Sequence, residues 1–86
     1  MKLTDLINIG SALSKKLIAA DITTPETLIE LGSFNAFMRL KLNDPSQCIF
    51  TLMALEGAIQ GVKWNHLSDA DKAELKQLIE NLDANN

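Results

Sequence analysis

Tyrosine is absent, cysteine and histidine occur once each, and aromatic residues make up only 5% of this 86-residue chain. A lone Cys48 makes no internal disulfide, which fits a reducing cytoplasm, and its place in an apolar run predicts a small buried side chain. A lone His66 ahead of a helix start reads as a turn residue rather than a metal ligand. There is no HExxH, paired-cysteine or phosphate-loop spacing, and no serine has an activating base in pattern, so no catalytic residue, metal or cofactor is expected. Excess positive charge is missing as well. The net charge is −3 and the pI about 4.9, whereas proteins that coat DNA electrostatically have basic surfaces. Nor is there a long apolar run. The longest charge-free stretch, Pro45–Leu55, falls far short of the ~20 residues that span a bilayer. Asp5 interrupts any signal-peptide start. A cytoplasmic protein without membrane contact is expected.

What is present is a helical pattern with a tight turn near its start. Leu6-Ile7-Asn8-Ile9-Gly10-Ser11 joins an apolar pair to a bend and then to a helix rich in Leu and Lys, as in a helix–hairpin–helix. Gly and Asn reach the left-handed backbone region at low cost. Asn8 and Gly10 are therefore expected to bend the chain while Ile9 plugs into a core. Near Ser11 a helix begins, and its unpaired N–H groups and dipole favour an anion. In a nucleic-acid binder that anion is a backbone phosphate, and Asn8, Ile9, Gly10, Ser11, Lys15 and Lys16 are the candidate contacts. Charge is distributed accordingly. Lys2, Lys15 and Lys16 against Asp5 give residues 1–20 a net +2, and the other five basic and ten acidic residues give −5. Lys15 and Lys16 read equally well as solvated helix residues.

Further helices follow at apolar spacing. One runs from about Ser11 to Ala20 with Leu13, Leu17 and Ala20 inward. Thr24 caps a short one, with Pro25 at its first position and Gly32 at its end. Ser33 is expected to cap the next, which carries Phe34, Phe37, Met38 and Lys41. Asp44-Pro45-Ser46-Gln47 reads as a capping box for a helix starting near Pro45. That helix is apolar nearly all round, so it should be the most buried, with Leu52, Leu55 and Ile59 inaccessible. Glu56 is its one charge before Lys63, and reads as a capping or ion-pair group in preference to an acid–base catalyst of raised pKa. Gly57 and Gly61 each cost roughly 1 kcal/mol against Ala inside a helix, which predicts close approach of a neighbouring helix. Ser68 caps the last helix, with Leu75, Leu78, Ile79 and Leu82 inward. The expected architecture is one all-α domain of five or six helices over residues 1–82, with 83–86 as a frayed tail. Leu6–Ser11 is also echoed 22 residues later by Leu28-Ile29-Glu30-Leu31-Gly32-Ser33, which suggests a second, purely structural hairpin.

Residues 6–80 resemble the C-terminal domain of the TfoX (Sxy) family of bacterial competence regulators. The resemblance rests on Leu6, Asn8-Ile9-Gly10, Leu17, Ile22-Thr23-Thr24-Pro25-Glu26, Leu28 to Gly32, Leu55 to Val62, Trp64 and Leu67. Its most specific part is Ala-Leu-Glu-Gly-Ala followed by Gly-Val-Lys-Trp. The resemblance implies a small SAM-like, helix–hairpin–helix domain. It also implies a link to DNA transformation and transcription regulation, where the family acts on competence promoters together with the cyclic-AMP receptor protein. Two modes of action are open from sequence: weak binding to the duplex DNA backbone through the hairpin, or binding to a transcription-regulator protein with no nucleic-acid contact.

Overall fold

The computed structural model describes residues 1–84. A 3-10 turn, Leu3–Asp5, leads through the Asn8 bend into α1, Ser11–Ala19. Then come α2, Pro25–Leu31, α3, Ser33–Asn43, and α4, Ile49–Gln60. A second 3-10 turn, Trp64–His66, precedes α5, Asp69–Ala84. The domain is all-α, with no strand among the described residues. Among the described residues no helix is long and apolar enough to cross a membrane.

α4 is the hub, as its largely apolar sequence requires. It packs against α3, α5 and the Trp64–His66 turn, while α3 also carries α1 and α2. Leu52 and Leu55 of α4 are fully buried together with Leu17, Ile22, Leu28 and Phe37. Ile59 is only partly buried; it lies in the last turn of α4, beside exposed Gln60.

The helix ends show how local chemistry sets these packings. At the end of α1, Asp21 takes φ 63° and the Ile22 N–H donates to the Leu17 carbonyl at 2.9 Å. This Schellman closure satisfies a terminal carbonyl and brings two core residues together. Thr24 caps α2 as expected, its hydroxyl accepting the Thr27 N–H at 3.1 Å, and Ser68 caps α5 through the Asp71 N–H at 3.0 Å. Gly32 ends α2 at φ 84° and ψ 160°, a backbone region open to glycine almost alone. It also precedes α3 as the N-cap, so Ser33 is the first helical residue and not the cap. Ser33 is buried and turns its hydroxyl to α4 instead.

The largest departure from the sequence pattern lies at residues 44–48. Asp44 does cap, but it caps a turn. Its Oδ1 accepts the Ser46 N–H and hydroxyl, at 3.1 and 2.6 Å, and Oδ2 accepts Gln47 Nε2 at 2.8 Å. Lys41 holds the same loop from below, donating to the Pro45 and Gln47 carbonyls. α4 therefore starts at Ile49. Gln47 moves inside and Cys48, expected to be buried, becomes an exposed N-cap. Asp83 and Ala84, expected to fray, belong to α5; Asn85 and Asn86 lie outside the described residues. The echo of Leu6–Ser11 does not repeat the hairpin. Residues 28–31 are helical where 6–9 bend, and the shared element is a Gly-Ser step that opens a helix.

The hydrogen bonds from Ser46 hold the Asp44 carboxyl below its ordinary value of 3.8, helped by Gln47 and by the charge of Lys16. A depressed folded pKa stabilises the fold above the ordinary value and loses that contribution as pH falls below it. Thermal midpoints of the parent and Asp44→Asn should therefore differ at neutral pH and draw together as the solution is acidified below the ordinary value of 3.8.

Candidate functional site

The bend is made by Asn8 alone. Asn8 takes φ 72°, whereas Gly10 sits at φ −91°, an ordinary conformation for any residue. Sequence placed part of the bend at Gly10, and the backbone does not need it there. A Cβ at Gly10 would meet nothing within 4 Å. Gly10→Ala should stay within about 0.5 kcal/mol of the parent in a denaturant melt, since reduced unfolded-state entropy offsets a poorer N-cap. A loss well beyond that would mean the glycine serves something other than the turn.

Ile9 plugs into the core as expected, at 4% exposure. Its N–H donates to the Leu6 carbonyl at 3.3 Å. Asn8 is committed as well. Its Nδ2 donates to the Val62 carbonyl at 2.9 Å and the Ala54 carbonyl at 3.3 Å, and its Oδ1 accepts the Trp64 N–H at 3.1 Å. The side chain ties the bend to α4 and to the loop after it. Gly57 makes this possible. A Cβ there would stand 2.5 Å from Asn8 Nδ2 and 2.6 Å from the Val62 carbonyl oxygen. The close neighbour of Gly57 is thus the Asn8 bend, not another helix. Gly61 has no close neighbour and ends α4 in the left-handed conformation, φ 78°.

Of the candidate phosphate contacts, Gly10, Ser11, Lys15 and Lys16 are exposed. The Ser14 N–H is the one that returns to Gly10, at 3.0 Å, so the first-turn amides from Ser11 to Leu13 have no partner within α1. Lys16 lies within the electrostatic reach of Asp44. Among the described residues no group of three His, Cys, Asp or Glu side chains could hold a metal ion.

One feature beside the bend was not legible in sequence. Phe50 and Trp64 are 60% and 41% exposed and stand edge to face, with ring centroids 5.6 Å apart and planes at 83°. Because α4 is apolar all round, its pattern marks no bare face. The Trp64 backbone N–H anchors to Asn8.

A profile of the TfoX C-terminal domain matches residues 1–79. The chain belongs to the TfoX C-terminal domain family. It is similar to an uncharacterized protein from Listeria monocytogenes, seen in a triclinic crystal form, with 46% identity and a TM-score of 0.94 over 96% of this chain and 94% of that one. It is also similar to a protein of unknown function from Listeria monocytogenes in a tetragonal form, with 48% identity and a TM-score of 0.90 over 93% and 98% of the two chains. No curated protein matches it. In this TfoX C-terminal domain the first and the most specific of the motifs that carry the family resemblance meet at Asn8. Asn8 from the first motif touches Ala54, Val62 and Trp64 of the second and lies against Gly57. The two motifs form a structural lock, which accounts for Asn8 and for Gly57.

Proposed function

We propose that the domain is a small non-enzymatic regulatory module, linked to competence and transcription regulation, that works by binding a protein partner on the hairpin side. The Phe50–Trp64 pair carries this reading. Two large rings kept in mutual contact at the surface are the kind of rigid aromatic anchor that dominates interface energetics. Ile7, next to Asn8, adds a third exposed apolar side chain at 37%. The acidic net charge favours a protein over a polyanion. The link to transcription regulation supports a transcription regulator as the partner class, and the cyclic-AMP receptor protein is the first to test. Titrated into the isotopically labelled domain, it should shift the Phe50 and Trp64 amide signals, and Phe50→Ser should remove the effect while the melt is retained. Unchanged spectra would reject this partner, and an unaltered titration with Phe50→Ser would reject this face.

The open first turn of α1 with exposed Lys15 and Lys16 supports a second reading, weak binding to the DNA backbone through the hairpin. Two lysines and a helix end neutralise few phosphates. Kd would be on the order of 10⁻⁴–10⁻⁶ M near physiological salt, with a log–log salt slope of roughly −2 to −3. The protein-binding reading predicts no DNA-induced shift of the Ile9–Lys16 amides even at low salt. A shift that Lys15→Glu with Lys16→Glu abolishes would decide for DNA.

A further inference from the structure

A cleft of about 320 Å³ opens where α2 meets α3, bounded on the far side by α4 and α5. Its walls are of two kinds. Phe34, Leu75 and Leu78 supply apolar surface, and Glu56, Asp71 and Glu74 supply carboxylates. No Lys, Arg or His lines it among the described residues. Two of them, Glu56 and Asp71, are held by neutral donors. Ser33 Oγ donates to Glu56 Oε1 at 2.6 Å, and Gln60 Nε2 reaches both Glu56 Oε2 and Asp71 Oδ2, at 2.6 and 2.9 Å. These bonds fix the positions of the oxygens and cancel none of their charge. The cleft thus joins a fixed negative rim to a hydrophobic wall, at the small end of the roughly 300–1,000 Å³ range of ligand sites.

We infer that this cleft receives an arginine side chain, flanked by apolar residues, from a protein partner. Charge complementarity selects a cation. The apolar wall selects one on a hydrophobic segment and disfavours a free, strongly hydrated ion. Guanidinium suits the site better than ammonium. It is more weakly hydrated, and its planar fork of donors can serve two carboxylates at once. The size of the cleft fits one or two side chains, so the recognised unit is a short segment. This site is on other residues than the Phe50–Trp64 pair, so it stands or falls independently of the function proposed above.

The test uses the tripeptide acetyl-Leu-Arg-Leu-amide, titrated into the labelled domain and followed by amide shifts. The expected result is a saturable shift of the Ser33, Glu56, Asp71 and Leu75 signals. The same tripeptide with citrulline in place of arginine, equal in shape but neutral, should bind at least tenfold more weakly. Asp71→Asn with Glu74→Gln should weaken the arginine peptide by a similar factor. Those side chains lie at the partly or fully exposed rim, so the fold should persist, as a thermal melt would verify. Equal binding of the arginine and citrulline peptides would overturn the inference in favour of an apolar groove. Absence of a saturable shift at the cleft would overturn it outright.

Discussion

Gly57→Leu is expected to unfold the domain, and Gly57→Ala to destabilise it by about 3 kcal/mol, the net of the terms that follow. Helix propensity alone predicts the opposite sign, since Ala in a helix interior gains about 1 kcal/mol over Gly. Space decides against it. A Cβ at residue 57 would lie 2.5 Å from Asn8 Nδ2 and 2.6 Å from the Val62 carbonyl oxygen. Asn8 can move only by giving up its bonds to Ala54, Val62 and Trp64, and leaving its part-buried amide without them costs about 1–3 kcal/mol. Val62 can move only by opening the closure at the end of α4, where its N–H donates to the Gly57 carbonyl at 2.9 Å. Overpacking adds a further 1–3 kcal/mol or so. For a chain of this length total stability is on the order of 4–13 kcal/mol, so three more carbon atoms at the same point consume most of it. Gly61→Ala is the control. Its cost is the left-handed backbone alone, about 1–2 kcal/mol, because a Cβ there has nothing within 4 Å. A chemical melt in which Gly57→Ala is at least as stable as the parent would show that the bend yields cheaply.

The two glycines illustrate what sequence could and could not disclose. Spacing four apart suggested one shared role. Helical periodicity places residues on a face, but it says nothing of what lies opposite when the neighbour is a bend from the other end of the chain. For the same reason the six-residue hairpin motif was found and its purpose was not. Its signature residues were legible as a turn because Asn8 has few rivals at positive φ. That the Asn8 amide is spent on α4 depends on contacts more than 45 positions away. Helix existence, the all-α class and most caps were readable, since Thr24, Gly32 and Ser68 act within four residues of themselves. The start of α4 was misplaced because Asp44 has two uses for the same side-chain oxygens. Turn and helix cap need identical donors, and Lys41 tips the choice from a helix that local spacing does not consult. The Phe50–Trp64 pair stayed hidden for a related cause, as an all-apolar helix has no polar stripe against which a bare face stands out.

Replacing Asn8 separates the two halves of the lock. Asn8→Asp keeps an oxygen for the Trp64 N–H but sets a carboxylate against the carbonyls of Ala54 and Val62, which lose the Asn8 donor. Three hydrogen bonds at about 1 kcal/mol each set the scale. Asn8→Asp should lose about 3–4 kcal/mol at neutral pH, with acceptor–acceptor repulsion as the excess over the lost bonds. Asn8→Gly keeps the positive φ at no steric cost and lets water reach the freed groups, so it should lose less, about 2 kcal/mol. The order of the two variants matters more than either value, because a role limited to backbone conformation predicts that Asn8→Gly is neutral. Combination with Gly57→Ala completes the test. Once the Asn8 amide is gone, the new methyl group retains only its conflict with Val62. Gly57→Ala should then cost less in the Asn8→Gly background than in the parent, by about 1–2 kcal/mol, a coupling typical of residues in contact. Strict additivity, within about 0.5 kcal/mol, would mean that residue 57 is glycine for the sake of Val62 alone, and that Asn8 and Gly57 are neighbours without being partners.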